Sequence, residues 1–178
     1  MKNNEVQIKG KILYKFITPN KNNVLLRIGC KNNVVSCFVC GEKLKEQISS
    51  FDVGDFINFS GNIQSSRRGD DVTCTVFVEE IIPPYYSDAG FYNKFWLDGT
   101  VAAIRQLNEC IKIIIKTENE GRISYVPVVF YYPDIRKLNF EVGEKIATTG
   151  SVQSVRKKSA DGEYVYYQNY LGNQDKTG

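Results

Sequence analysis

Cys37-Phe38-Val39-Cys40 is the first arrangement in this chain that could do chemistry, because the C-x-x-C spacing serves metal thiolates and thiol–disulfide couples. A structural metal would need two more ligands. With no histidine in the chain, they would have to be Cys30 and Cys74. The second half of the chain copies none of this. The competing reading is that these are small apolar side chains of a core. That is the expectation: reduced core thiols, no metal and no cofactor. The missing histidine also removes the usual general base. Neither G-x-x-x-x-G-K-[ST] nor G-x-G-x-x-G occurs. Asp70 and Asp71 could share a cation only by converging, yet neighbours on a strand point to opposite faces. Asp52, Asp55, Glu79 and Glu80 fall at expected turns and strand ends, where solvated charge is the ordinary state. The chain is therefore not expected to be an enzyme.

What remains is non-covalent chemistry. Arg67-Arg68 and Arg156-Lys157-Lys158 are basic clusters, and the chain carries 11 Tyr, 10 Phe and one Trp. Cations attract phosphates, and aromatic rings offer faces for other flat groups. The net charge is only +3, so any track for a polyanion comes from local clustering rather than bulk charge.

The elements that must position these groups come in two copies. Val53-Gly54-Asp55 recurs as Val142-Gly143-Glu144, and Gly61-Asn62-Ile63-Gln64-Ser65 as Gly150-Ser151-Val152-Gln153-Ser154. Gly10 recurs as Gly99, and every pair is 89 residues apart. Phe51/Phe140, Ile57/Ile146 and Arg67/Arg156 keep the same register. That period is too long for a solenoid and suits two small domains. The expected division is 1–82, a linker at 83–93, 94–172, and a polar tail at 173–178.

In the first copy, Val6, Ile8, Ile12 and Tyr14 alternate with Gln7, Lys9, Lys11 and Lys15, which predicts a strand over Val6–Phe16 with one apolar face. Further strands are expected at Val24–Cys30, Val34–Cys40, Phe56–Ser65 and Val72–Ile82, with a short helix near Gly41–Ile48. The second copy predicts strands near Phe95–Arg105, Glu109–Thr117, Ile123–Tyr131, Lys145–Val155 and Glu163–Leu171, with a degenerate helical turn around Pro133–Leu138. Five strands with a helix between the third and fourth is the order of an OB-fold barrel. The fold class expected is all-β, two tandem five-stranded OB-fold barrels. Glycines inside the first and fourth strands permit the sharp curl that closure demands.

An OB fold offers its second and third strands and the loops joining strands one–two and four–five to ligands. The basic clusters fall on the four–five tips of both copies, where the alternative is a solvated hairpin tip. If Val35, Cys37 and Val39 face inward, Ser36 and Phe38 face out, and the 89-residue register puts Tyr125 and Pro127 beside them in the second copy. On the second strands Leu25 and Arg27, and Lys112, Ile114 and Lys116, take the outward phase. The candidate binding residues are Arg27, Phe38, Arg67, Arg68, Lys112, Lys116, Tyr125, Arg156, Lys157 and Lys158. The outward rings either stack bases or are covered by the neighbouring barrel or a second copy. Phe51 and Phe140 are expected to plug the cores, and Trp96 to face outward. Tyr85, Tyr86, Phe91 and Tyr92 crowd the joint, which favours an interface there.

Val126-Pro127-Val128-Val129-Phe130, a short helical segment, and then Phe140-Glu141-Val142-Gly143-Glu144 leading through Gly150 into a charged hairpin resemble the bacterial and phage single-stranded-DNA-binding family. The resemblance covers both copies. It implies an OB-fold protein that coats single-stranded DNA in replication, recombination or plasmid or phage DNA transfer. Single-stranded RNA binding and a protein-interaction scaffold stand as alternatives. Two departures accompany it. The common bacterial members carry one OB domain per chain and form tetramers, whereas this chain has two copies. They also end in an acidic tail that recruits partners, which Lys176-Thr177-Gly178 does not resemble. A homo-oligomer is compatible with the sequence. No apolar run approaches the ~20 residues that span a bilayer, and no signal-type segment is seen near Met1. A cytoplasmic protein is therefore expected.

Overall fold

The computed structural model describes residues 2–19, 23–68, 71–83, 90–131 and 139–173, with the side chains at 68, 71, 156, 157 and 164–167 left aside. The strands are β1 (Asn4–Ile17), β2 (Asn23–Cys30), β3 (Asn33–Cys40), β4 (Phe56–Arg68), β5 (Asp71–Ile82), β6 (Tyr92–Gln106), β7 (Cys110–Asn119), β8 (Arg122–Tyr131), β9 (Lys145–Lys158) and β10 (Tyr164–Gly172). One helix, α1 (Glu42–Ser49), stands between β3 and β4. It seats Ile48 in the core and packs Leu44 against it, the four-residue spacing that the sequence shows. The all-β order is consistent with an OB fold. The helical turn expected around Pro133–Leu138 lies outside the described residues, as do most of the joint and the tail. No helix among the described residues is long and apolar enough to cross a membrane.

All ten strands belong to one hydrogen-bonded sheet. Within it β1, β2, β3, β5 and β4 pair in a ring that β1–β4 completes. The strands β6, β7, β8, β10 and β9 repeat that cyclic order, completed by β6–β9. In both rings the third and fifth strands run parallel and every other pairing is antiparallel. Gly61 and Gly150 hold equivalent places. A Cβ at either would collide with a backbone carbonyl of the next strand, that of Phe77 or of Leu171.

The rings are joined by antiparallel pairing of β1 with β6, from Asn4↔Leu97 to Lys9↔Tyr92. Val6 pairs with Phe95, its own counterpart 89 residues on. A local two-fold axis therefore passes through that pair, as in an isologous dimer interface. The core runs through both halves without interruption. Just beyond the last β1–β4 pair, the Asn4 side chain continues the ladder. It donates to Ile63 O at 2.6 Å and accepts from Ile63 N at 2.9 Å. Asn93 does the same with Val152, at 2.7 and 2.9 Å.

Two register details depart from the sequence expectation. A bulge at Leu13 separates the pairs Ile12↔Ile28 and Tyr14↔Arg27. Ile12 is buried but Tyr14 is not, so the period-two face breaks there and Tyr14 and Phe16 turn outward. The same bulge recurs at Ala102. The constant 89-residue offset also fails from the second strand on, where Arg27 and Ile114 are counterparts two residues short of it, and the third strand then overshoots it by two. Cys37 pairs with Val76 as Val128 pairs with Tyr170, because the β7–β8 hairpin is longer than β2–β3. The counterparts of Ser36 and Phe38 are thus Pro127 and Val129, not Tyr125 and Pro127. The slip is two residues, so Tyr125 still faces outward.

Candidate nucleic-acid interface

Side-chain alternation decides what the C-x-x-C pair can do. Residues three apart on a strand face opposite ways. Cys37 is fully buried, whereas Cys40 is half-buried on the other face and donates to Asn23 Oδ1 at 2.9 Å. Burial pushes the Cys30 thiol up to about 12, and pushes Cys37 higher than its ordinary value too. These are apolar core groups, and the two thiols of the motif point away from any shared ligand.

The outward faces carry the cations and rings. On the first half, Arg27 stands 5.0 Å above the Tyr14 ring, and Tyr14 stacks along Phe16 with centroids 6.3 Å apart and planes 16° apart. Tyr14 is 40% and Phe16 43% exposed, so both rings keep free area. Sequence reasoning missed this pair because a period-two count cannot see the bulge that re-aims it. The signal available was the repeated Gly54, in the turn before β4, whose N–H bonds Ile12 O at 2.8 Å beside the bulge, as Gly143 N–H bonds Val101 O. Phe38, the cross-strand partner of Leu25, packs on Phe77 with centroids 5.9 Å apart.

On the second half Lys116 stands opposite Tyr125 across β7–β8, and Tyr125 is 41% exposed. The counterparts of Tyr14 and Phe16 are Ala103 and Arg105, and the counterpart of Arg27 is Ile114. At these three positions the first half carries two rings and one cation, and the second carries one cation, Arg105, and no ring. Trp96 lies between buried Phe95 and Leu97 in the outward phase, with Lys94 Nζ 5.0 Å from its ring centre.

Each β4–β5-type hairpin reaches across to the other half. Tyr125 N–H donates to Ser65 Oγ at 2.9 Å, and Cys74 Sγ donates to Tyr125 O at 3.3 Å. From the other side, Gln168 grips the Ser36 backbone, accepting from its N–H at 2.9 Å and donating to its carbonyl at 3.1 Å. Arg67 near one tip is exposed, as is Lys158 near the other. The side chains of Arg68, Arg156 and Lys157 lie outside the described residues. Among the described residues, Arg67, Lys112, Lys116 and Lys158 make no ion pair, so their charge is available to a ligand.

Between the hairpins lies a cleft of about 350 Å³. Phe38, Thr75, Lys112, Val129 and Asn169 line it, as does Val72, the cross-strand partner of Arg67. Phe38 and Lys112 thus meet at one cleft with Arg67 at its rim, while Lys116–Tyr125 forms a second group further along β7–β8. Arg27 belongs with Tyr14 and Phe16, and Lys158 stands apart at the end of β9.

The architecture matches that of solved structures. The wild-type single-stranded DNA binding protein from Thermus aquaticus superposes with a TM-score of 0.68 at 12% identity, covering 95% of this chain and 89% of that one. A deletion variant of the same protein gives 0.68 at 13% identity, covering 95% and 91%. The chain shares that fold. No protein-family model and no curated protein matches the sequence.

Proposed function

We propose that the chain binds single-stranded DNA with little sequence preference, coating strands exposed in replication, recombination or plasmid or phage DNA transfer. The observation that carries this reading is the pairing of a cation with an exposed ring on the outward strands of each half, Arg27 over Tyr14 and Lys116 opposite Tyr125. A single strand needs a cation for its phosphate and a π face for its base, and stacking contributes roughly 1–3 kcal/mol per base. The fold shared with a protein named for single-stranded DNA binding supports the same ligand. In this reading the two rings of strands are tandem OB-fold barrels, 1–82 and 94–172. At ~4–16 nucleotides per barrel the footprint is about 8 to 32 nucleotides. No step of this mechanism breaks a covalent bond, so the protein is proposed to be a binder, not an enzyme, and separately to act in the cytoplasm.

Fluorescence anisotropy of a labelled oligo-dT of about 30 nucleotides, at two salt concentrations, tests this. Duplex DNA and single-stranded RNA serve as comparators. Tight, salt-sensitive binding to oligo-dT with weak duplex binding is expected. Replacing Arg67, Arg68, Arg156, Lys157 and Lys158 together by Ala should weaken it across all sequences. Exposed Phe56 and Phe91, 5.7 Å apart beside Tyr92, favour a second reading as a protein-interaction scaffold. Failure to bind any oligonucleotide at low salt would select that reading.

A further inference from the structure

We propose that the cleft between the two hairpins is a pocket for one nucleotide of the bound strand, with its base against Phe38 and its phosphate at Lys112. This rests on the single-stranded DNA reading above. The local two-fold axis that begins at Val6–Phe95 emerges in this cleft, because counterparts from both halves line it: Phe38 with Val129, Thr75 with Asn169 and Cys74 with Gln168. Between two identical subunits such a cleft would have identical walls, and an asymmetric ligand could enter in two equivalent ways. Within one chain the two walls need not match, and here they differ. One side is aromatic, Phe38 backed by Phe77. The other carries Lys112 where the first half has Leu25. A nucleotide has the same polarity, a flat face at one end and an anion at the other, and it fits in one sense only.

Size and wiring agree. A volume of about 350 Å³ sits at the small end of the ~300–1,000 Å³ range for ligand pockets, enough for a base with its sugar but not a run of them. Lys112 is half-buried with no ion pair among the described residues. A lysine placed this way can lay its stem along the wall and present its ammonium to an anion in the cleft. Gln168 is held at both ends by Ser36, which makes that wall rigid. Thr75, Ser154 and Asn169 line the same space, and their side chains have no hydrogen-bond partner among the described residues, so a base edge can use them. The consequence is one position of base preference within an otherwise tolerant track.

The experiment uses the full chain and an oligo-dT in which 5-iodouracil replaces thymine, irradiated in the complex, with the cross-linked peptide identified by mass spectrometry. The cross-link is expected on Phe38. Phe38→Leu should abolish it and weaken oligo-dT binding about tenfold. Lys112→Gln, outside the core, should reduce the slope of log affinity against log salt by about 0.7, the signature of one lost phosphate contact. A purely structural lysine would leave that slope alone. If the wild type binds oligo-dT but cross-links elsewhere, and both variants keep affinity and slope, the pocket is overturned while the DNA reading stands. If the wild type binds no oligo-dT, the DNA reading fails and takes the pocket with it.

Discussion

Positions 89 residues apart make the same framework bonds in the two halves. Gly54 N–H to Ile12 O has its counterpart in Gly143 N–H to Val101 O, both at 2.8 Å. Asp55 caps its turn through the Asp52 N–H as Glu144 does through that of Glu141. The outward positions have not been held alike. Tyr14, Phe16 and Arg27 in the first half correspond to Ala103, Arg105 and Ile114 in the second. Groups that close a ring of strands are fixed by backbone geometry, whereas groups that meet a ligand drift once the copies share a chain and need not act alike.

The framework half of that contrast breaks most visibly at the close-approach glycines. Gly61→Val and Gly150→Val each drive a side chain into a neighbouring carbonyl. Both should cost about 3 kcal/mol or more, enough to prevent folding of a marginal domain. Circular dichroism and soluble yield measure this. If one variant folds normally while the other fails, the halves are not structurally equivalent.

Alkali should separate the halves next. Burial pushes Cys30 and Cys74 up to about 12 and raises Cys37 as well, and all three lie in the first half. The folded state holds these protons more tightly than the unfolded chain, whose thiols ionise near ~8.5. Their contribution is complete below about pH 8.5 and is lost as pH climbs toward about 12. In the second half Tyr170 is shifted the same way, from a higher starting value of ~10. Urea midpoints should therefore be level from pH 6 to 8 and decline above that. The decline should be shallower in a Cys30→Ala/Cys74→Ala variant. An unchanged decline would mean that the thiols do not set the alkaline limit.

How much of this was legible follows the same division. Alternation and turn residues located all ten strands and α1, because burial of one face is written residue by residue. The inward phase of Val35, Cys37 and Val39, and with it the outward phase of Phe38, held for the same reason. Two things were hidden. The bulge at Leu13 adds one residue without changing composition, so period-two alternation places Tyr14 on the core face although it is exposed. The β7–β8 hairpin breaks the 89-residue offset inside a stretch that looks continuous, so a constant offset matches Phe38 to Pro127 instead of Val129. The cleft was invisible too. It depends on hairpins crossing between halves, and no local pattern encodes the Gln168–Ser36 or Ser65–Tyr125 contacts.

Smaller but cleaner is the comparison of Asn4 with Asn93. Each amide satisfies one backbone N–H and one carbonyl just past the end of its ladder. Removing it leaves both groups short of a partner, which costs about 1–3 kcal/mol. Asn4→Ala and Asn93→Ala should therefore lower stability to chemical denaturant by the same amount within about 0.5 kcal/mol. A clear inequality would show that the local two-fold relation is geometric only.

The subtlest prediction concerns the outward face, where inequality is the expectation. Tyr14→Ala and Phe16→Ala remove rings that are 40% and 43% exposed and lie outside the buried core, so the loss of stability should be small beside that of the glycine variants. Affinity for oligo-dT should fall by roughly 1.4 kcal/mol for each ring that carries a base, about tenfold. The salt slope should stay nearly constant, because no phosphate contact has been lost. Arg105→Ala, at the counterpart of Phe16, should do the reverse, with a modest loss at low salt and a slope shallower by about 0.7. The two signatures are orthogonal, so one salt titration per variant separates a stacking half from a phosphate-tracking half. Equal behaviour of the variants would mean that the strand treats the halves alike despite their different surfaces. Restoring a ring with Ala103→Tyr, beside the same bulge, should then add nothing. If the halves do differ in role, that substitution should tighten binding without altering the slope.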